Sequence, residues 1–387
     1  MFRKMPFILL AMIAIAAISH SWLPLSVKSI LYAMSLSLKS VIVFALPFLV
    51  FGLLFKTAAQ LAKKASKMIL FLLAAVCISN FISTLLSYGV GQLVYRLDIS
   101  IVLPQETASL LPAWQFFLPK WIGNDIAMFS GLTLGVLLGW LRPAFSEKVS
   151  AHLEKAIALF LKGFLGVIPI FILGFVIKLI HDQAMLHILR NYALIFTLIA
   201  CAVFSYIALV YLMVNRLRRS AFVSSIKNML PAALAGFGSM SSAASMPLTI
   251  IGTEKNAQNP DVARSVIPAT VNIHLMGDCF AIPIFAFAVL KNFGMAEPSF
   301  AVYLTFAAYF VLAKFSVAAV PGGGILVMLP ILENVLGFDA GMLSLITALY
   351  ILFDPVITCA NVVGNGGFAM VIDRLQKGRI KTLEGGQ

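Results

Sequence analysis

Long apolar blocks recur along this chain and limit what it can fold into more than any other feature. They are about 18 to 28 residues long, enough for a helix to cross a hydrocarbon layer about 30 Å thick. Backbone groups inside lipid must pair within the protein, so only helices and closed barrels span it. The blocks do not alternate apolar and polar residues as barrel strands do. The sequence therefore predicts an all-α polytopic membrane protein.

Composition agrees with this prediction. Of 387 residues, 61% are hydrophobic and 11% are charged, whereas about 25% are charged in an average soluble domain. The net charge of +13 does not indicate nucleic-acid binding, because Lys and Arg gather at block ends without interleaved aromatic residues. The four cysteines lie in apolar stretches without metal-ligand spacing and are predicted to be core residues.

Eight segments have the length and apolarity of spanning helices. They are about 6–25, 37–60, 67–94, 126–141, 160–181, 192–214, 266–290 and 341–373. The first follows Arg3 and Lys4 and resembles a signal peptide, but a transmembrane helix is favoured because the rest of the chain is membrane-embedded. The stretch 95–125 is rich in proline and charge and is predicted to be a loop.

Two further apolar segments, 220–253 and 300–337, are interrupted by Ser, Gly and Pro residues. If both termini are cytoplasmic, the Lys and Arg residues at the helix ends fall mainly on the cytoplasmic side only when each of these two segments enters and leaves the membrane on the same side. The sequence therefore predicts eight transmembrane helices plus two re-entrant helical hairpins, in a bacterial inner (plasma) membrane. Two interrupted segments in corresponding positions point to a transporter's binding site.

Four sequence motifs sharpen this interpretation. The first hairpin carries Ser241-Ser242-Ala243-Ala244-Ser245-Met246-Pro247-Leu248-Thr249, the second Ala318-Ala319-Val320-Pro321-Gly322-Gly323-Gly324, the seventh helix Asn272, and the last helix Asp354 followed by Asn361-Val362-Val363-Gly364-Asn365. Together they resemble the dicarboxylate/amino acid:cation symporter family, the glutamate and neutral amino acid transporters. The resemblance is closest over about 220–375.

The resemblance implies a glutamate-transporter-like fold, a homotrimer and an elevator-like moving domain. Residues 1–66 would form the first two scaffold helices, and 126–190 would form scaffold helices four and five. Residues 67–125 would hold the third helix, which belongs to the transport domain, and an extracellular loop. The transport-domain core would be 191–387, with the sixth to eighth helices and both hairpins.

Several residues are candidates for substrate binding. A helix N-terminus binds carboxylates, which suits Ser241 and Ser242 at the first tip. Asp354 is a carboxylate inside an apolar run, and a substrate ammonium is its expected partner. Thr358 and Asn361 share its helix face. The resemblance adds Met276, Val320, Gly324 and Ile357 to this set.

Ile357 departs from the family pattern. Acidic amino acid transporters of the family carry Arg three residues after the helix Asp, where it pairs with a side-chain carboxylate. An alkyl group cannot replace a bidentate guanidinium. The sequence therefore predicts a substrate with a neutral side chain and disfavours aspartate and glutamate.

The cation sites also depart from the pattern. Asn365 replaces the terminal Asp of the motif, and His274 replaces the seventh-helix Asp if the alignment has no gaps. A two-residue insertion would instead bring Gly277 and Asp278 into the motif. Lys314 precedes the second tip, near where the family holds a second sodium ion. Sodium prefers oxygen ligands and negative charge, so these changes weaken its binding.

The candidate coupling residues are Thr270, Asn272, His274, Lys314, Asn361 and Asn365, and a residual sodium site is possible at Asn272, Asn361 and Asn365. No other metal and no cofactor is predicted beyond a coupling proton or sodium ion. His274 is a candidate proton carrier or a hydrogen-bonded core histidine. Lys314 is a candidate stand-in for a bound cation or a lysine that snorkels to the interface.

The predicted function is secondary active transport of a small amino acid or related carboxylate, neutral rather than acidic, with proton or reduced-sodium coupling. The alternatives are a sodium-coupled dicarboxylate or glutamate symporter and an anion-conducting channel on the same scaffold. An enzyme is not predicted, because the five histidines are dispersed and no HExxH-type motif occurs. The expected partners are an amino-acid-like solute, the lipid bilayer and two further copies of the chain.

Overall fold

The computed structural model describes residues 11–12, 15–16, 18–63, 67–97, 110–119, 121–181, 184–315, 317 and 322–384, and within them it is all-helical. The first six helices that we number are α1 (Leu25–Lys63), α2 (Lys67–Arg96), α3 (Asn124–Leu141), α4 (Pro143–His181), α5 (Ala184–Val214) and α6 (Arg219–Ser239). The others are α7 (Ser242–Glu254), α8 (Pro260–Thr270), α9 (Met276–Asn292), α10 (Phe300–Lys314), α11 (Gly323–Leu336) and α12 (Ala340–Glu384).

The predicted segments from 37–60 to 192–214 lie within α1 to α5. Helices α1 and α4 extend well beyond the predicted bounds, to 39 residues each, and continue through Pro47 and Pro169. In the described part of the chain, three helices are long and apolar enough to cross a membrane, within α2, α5 and α12. Most of the predicted segment 6–25 lies outside the described residues or in short helical pieces before α1.

The prediction of one continuous helix over 266–290 was wrong. Helix α8 ends at Thr270 and α9 begins at Met276, with turns between them. The Asn80 side chain of α2 donates to the carbonyl of Ile273 at 2.7 Å and accepts from the N–H of Leu275 at 3.3 Å. A single buried amide thus satisfies backbone groups that the interruption leaves free, which makes the break tolerable in an apolar interior.

Helix α9 lies at the centre of the fold. Every residue from Met276 to Leu290 is buried, and a helix that is apolar on all sides needs neighbours all around it. It packs against α2, α5 and α12. Helices α1, α3 and α4 form a second group that packs mainly on itself.

Two helix–turn–helix pairs correspond to the two interrupted segments. Helices α6 and α7 pack side by side and are joined at Met240, whose φ of 49° places it in the left-handed region. Helices α10 and α11 also pack together, but 318–321 in their connection lie outside the described residues, and so does the candidate Val320. We call the first connection the first tip (239–242), and we call the described residues of the second connection, 315, 317 and 322–324, the second tip.

Candidate functional site

The site is organised around Asp354, which is buried in α12. Its Oδ2 accepts a hydrogen bond from the N–H of Gly322 at 2.9 Å, and its Oδ1 accepts one from the Thr358 hydroxyl at 3.0 Å. The helix continues through the adjacent Pro355. Thr358 lies one turn after Asp354, as the predicted helix face requires. The carboxylate thus joins the second tip to α12.

A second buried carboxylate, Asp278 of α9, lies beside the same tip. The Tyr350 hydroxyl donates to its Oδ1 at 2.6 Å, and Lys314 Nζ lies 3.1 Å from its Oδ2. The lysine and the aspartate are 0% and 1% exposed. The Lys314–Asp278 contact is an ion pair without aligned hydrogen-bond geometry, since the Nζ has no hydrogen-bond partner among the residues that the structure describes. Lys314 therefore does not snorkel to an interface.

The N-terminus of α11 faces both carboxylates. Gly322 caps this helix with a φ of 73°, a conformation that favours glycine, and points its N–H at Asp354. A Cβ on Gly324 would lie 2.4 Å from Tyr350 Oη and 2.8 Å from Asp278 Oδ1. The positive end of a helix stabilises negative charge, so the N-terminus of α11 stabilises the carboxylates of Asp354 and Asp278.

The first tip has a different character. Ser241 is the N-cap of α7, and its hydroxyl accepts the N–H of Ala244 at 3.2 Å. Ser239 Oγ lies 3.3 Å from Ser245 Oγ, which in turn donates to the Ser241 carbonyl at 3.0 Å. Ser242 is also buried. These hydrogen bonds join serine hydroxyls and backbone groups at the N-terminus of α7.

Both tips approach the same stretch of α12. Gly236, just before the first tip, is so close to α12 that a Cβ there would lie 3.0 Å from Val362 Cγ2 and 3.3 Å from the Thr358 carbonyl. Gly322 of the second tip bonds Asp354. The residues from Asp354 to Val362 therefore lie between the two tips.

Asn361 connects α12 to the start of α9. Its Oδ1 accepts the N–H of Gly277 at 2.7 Å, and a Cβ on Gly277 would lie 2.3 Å from the carbonyl of Ile357. Ile357 is buried at this contact. Met276 packs against Gly364, which lies further along α12 than Asp354. The structure thus brings Asn361 and Ile357 together with Gly277 at the start of α9. Met276 instead packs against α12 at Gly364.

A second polar cluster lies further along α12 than Asp354, at Asn365 and Phe368. The Thr270 hydroxyl donates to Asn365 Oδ1 at 2.8 Å, while Asn365 Nδ2 is buried and has no partner in the described part of the chain. His274 is buried, its Nε2 lies 2.9 Å from Ser79 Oγ, and its ring stacks on Phe368 at 4.2 Å. Among the described residues, the Nδ1 of His274 has no hydrogen-bond partner. This geometry is compatible with both roles that the sequence allowed, a hydrogen-bonded core histidine and a proton carrier.

Asn272 does not join this cluster, because it is exposed, whereas Asn361 and Asn365 are buried. Sequence reasoning missed Ser79, Asn80 and Tyr350 and mentioned Asp278 only as an alternative. Two of them could have been found from the sequence. Asn80 is a lone amide in an apolar helix and Asp278 is an acidic residue at the start of an apolar run, and both are costly in a membrane.

The structure has buried charged groups at two interrupted segments, and apolar helices surround them. This arrangement is typical of membrane transport proteins. The profile of the sodium:dicarboxylate symporter family matches residues 5–375, and the chain belongs to this family. The predicted resemblance is confirmed. The family consists of transporters, which implies an integral membrane protein with apolar helices.

Curated relatives are excitatory amino acid transporters. Human excitatory amino acid transporter 2 is 27% identical over 180 residues, 46% of this chain and 30% of that protein. Human excitatory amino acid transporter 1 is 26% identical over 179 residues, 46% and 32% of the two chains. An excitatory amino acid transporter of Onchocerca volvulus is 27% identical over 199 residues, 51% and 40%. The matched stretch spans only 30 to 40% of these relatives.

Proposed function

We propose that this protein is a secondary transporter of small amino acids with neutral side chains, or of closely related carboxylates. The observation that supports this most is the position of Asp354 between two tips of opposite character. One tip presents a serine-capped helix N-terminus, and the other bonds Asp354 itself. A zwitterion matches this arrangement, with its carboxylate at the first tip and its ammonium at Asp354.

The charge balance of the site favours a substrate without a second negative charge. The site holds two acidic groups, Asp278 and Asp354, against one basic group, Lys314, and both acidic groups lie at the N-terminus of α11. A substrate ammonium would neutralise the remainder. Lys314 does not replace the family's arginine, because its ammonium is already paired with Asp278. An acidic side chain beside Ile357 would lack a cationic partner.

We propose coupling to protons or to a reduced set of sodium ions. In the second polar cluster, Thr270 and Asn365 offer neutral oxygens, and His274 offers an ionisable ring in place of a carboxylate. Sodium needs several oxygens and gains from a formal negative charge. An imidazole changes charge near physiological pH when unperturbed. His274 is therefore the candidate proton carrier, and Asn361 and Asn365 are the remaining candidates for a weak sodium site.

An elevator-like movement of one helix group against the other is proposed as the transport mechanism. The separate packing of α1, α3 and α4 supports a scaffold formed by 1–66 and 126–190. The remaining helices hold both tips and α12, which supports their role as the moving group. A homotrimer with both termini in the cytoplasm stays part of this proposal and follows from the family resemblance and the charge pattern.

Uptake by purified protein in proteoliposomes tests the substrate class. Alanine, serine, glutamate and succinate are offered with sodium and proton gradients imposed separately. We expect saturable uptake of a neutral amino acid and poor competition by glutamate and succinate. Tight, saturable glutamate binding would contradict the proposal and favour the sodium-coupled acidic symporter suggested by the names of the family and its relatives.

A matched pair of variants tests the proton route. His274→Ala removes the titratable ring, whereas Ser79→Ala removes only its hydroxyl partner. We expect His274→Ala to abolish the response of uptake to an imposed pH gradient and Ser79→Ala to retain it. Steep, cooperative sodium dependence of the unmodified protein, with no response to a proton gradient, would refute the coupling proposal.

A further inference from the structure

Lys314 is an unusual residue for the place it occupies. It ends α10 and is 0% exposed, at the base of the second tip. Its Nζ lies 3.1 Å from Asp278 Oδ2 and 4.4 Å from the centroid of the Phe310 ring. A buried ammonium is stable only where a negative charge and polarisable neighbours offset its lost hydration. Asp278 and Phe310 meet both conditions.

The groups around Asp278 are those that bind a small hard cation. Its carboxylate has one oxygen toward Lys314 and the other bonded to the Tyr350 hydroxyl at 2.6 Å. Carboxylate and hydroxyl oxygens are the ligands that alkali and alkaline-earth ions prefer. The Lys314 ammonium thus stands at the carboxylate where a bound ion would otherwise neutralise it.

We infer that Asp278 and Tyr350 form a monovalent-cation site that is occupied by the Lys314 ammonium instead of a free ion. No sodium ion is therefore taken up at this position. The inference deepens the proposed function and rests on it, because it describes the ion requirement of the same site. Substrate binding itself uses Asp354 and the first tip, not the lysine.

The position of the pair explains why a tethered cation has consequences for coupling. Lys314 belongs to α10, Asp278 to α9 and Tyr350 to α12, so the cluster joins three elements at the second tip. A bound sodium ion would enter and leave in each transport cycle and would make transport depend on the sodium concentration. A covalently attached ammonium stays, so this position adds a fixed charge and no coupled ion.

Removal of the lysine should uncover the site. In Lys314→Met, the Asp278 carboxylate loses its counter-ion while its oxygens and Tyr350 remain. Sodium binding should then stabilise the purified protein, and the melting temperature should rise by about 2 °C for each tenfold increase in sodium above its Kd. The titration is made in detergent without any solute, with choline chloride holding the ionic strength constant.

Two matched variants complete the test. Lys314→Arg keeps the charge and should respond to sodium no more than the unmodified protein. Lys314→Met with Asp278→Asn removes both charges and should lose the sodium response that Lys314→Met gains. The inference is wrong if Lys314→Met responds to sodium no more than the unmodified protein. It is also wrong if that variant stays unfolded at all sodium concentrations while the double variant folds.

This experiment separates the inference from the proposed function. The sodium titration needs no transported substrate, so its outcome stands even if no amino acid is taken up. Conversely, uptake of a neutral amino acid by the unmodified protein would support the proposed function even if Lys314→Met showed no sodium response.

Discussion

The two tips resemble each other in sequence but differ in electrostatics. Each interrupts an apolar segment with small residues and begins a new helix, α7 at the first and α11 at the second. The first tip is built from serine hydroxyls and backbone groups. At the second, the helix N-terminus faces Asp354 and Asp278, and Lys314 lies beside them.

This difference shows how one structural motif can serve two purposes. A helix N-terminus attracts one negative charge well, and a carboxylate of the protein can satisfy it as fully as a ligand. At the second tip, Asp354 of the protein itself accepts a hydrogen bond from the helix N-terminus. We therefore propose that the substrate ammonium binds Asp354 and that the substrate carboxylate binds the N-terminus of α7 at the first tip.

The largest effect on stability is expected from breaking the ion pair at the second tip. Asp278→Asn leaves the buried Lys314 ammonium without a counter-charge and should cost about 3–5 kcal/mol of unfolding free energy. Adding Lys314→Met should recover most of this loss, because both charges are then absent. Thermal unfolding of the single and double variants in detergent measures the coupling between them. Additive losses would show that the two residues do not interact.

Asp354→Asn tests the other aspartate at that tip. It should weaken binding of an ammonium-bearing substrate by about 10- to 150-fold, because charged hydrogen bonds are worth about 1.5–3 kcal/mol. Asp373→Asn is a matched control: this buried aspartate of α12 bonds the N–H groups of Gln258 and Asn259, far from the tips. Asp373→Asn should change the free energy of unfolding and leave the affinity for the substrate unchanged. Unaltered binding by Asp354→Asn would assign that carboxylate another role.

Glycine substitutions compare the packing of the two tips. Gly324→Ala places a methyl group against Tyr350 and Asp278 and should cost about 1–3 kcal/mol, as overpacking does. Gly238→Ala, in α6 before the first tip, meets nothing within 4 Å and should be neutral or stabilise by up to about 1 kcal/mol. Chemical denaturation of both variants makes the comparison. Equal destabilisation would mean that the second tip is no more tightly packed.

The smallest effect is expected at the first tip. Ser241→Ala removes the N-cap bond to Ala244 and should cost about 1 kcal/mol, whereas Ser241→Gly should cost only a few tenths. If the first tip binds the substrate carboxylate, both variants should also weaken binding of an amino acid more than binding of the corresponding amine. Equal weakening for amino acid and amine would place the carboxylate elsewhere.

The sequence by itself determined the helical class and the two interrupted segments, and it singled out Asp354 as a candidate site residue. Long apolar blocks admit few structures in lipid, and a lone carboxylate inside one of them is costly enough to indicate a site. The common face of Asp354 and Thr358 also followed from sequence, because it depends only on the helical repeat. These features are local, so they need no knowledge of how the helices pack.

The pairing of Lys314 with Asp278 was decided only by the tertiary structure. It depends on where α8 ends and α9 begins, and a buried amide from α2 stabilises that interruption. The interruption fixes which side of α9 carries Asp278 and hence which helix it meets. Contacts between distant helices depend on their rotation and depth, and neither is encoded in the periodicity of a single segment.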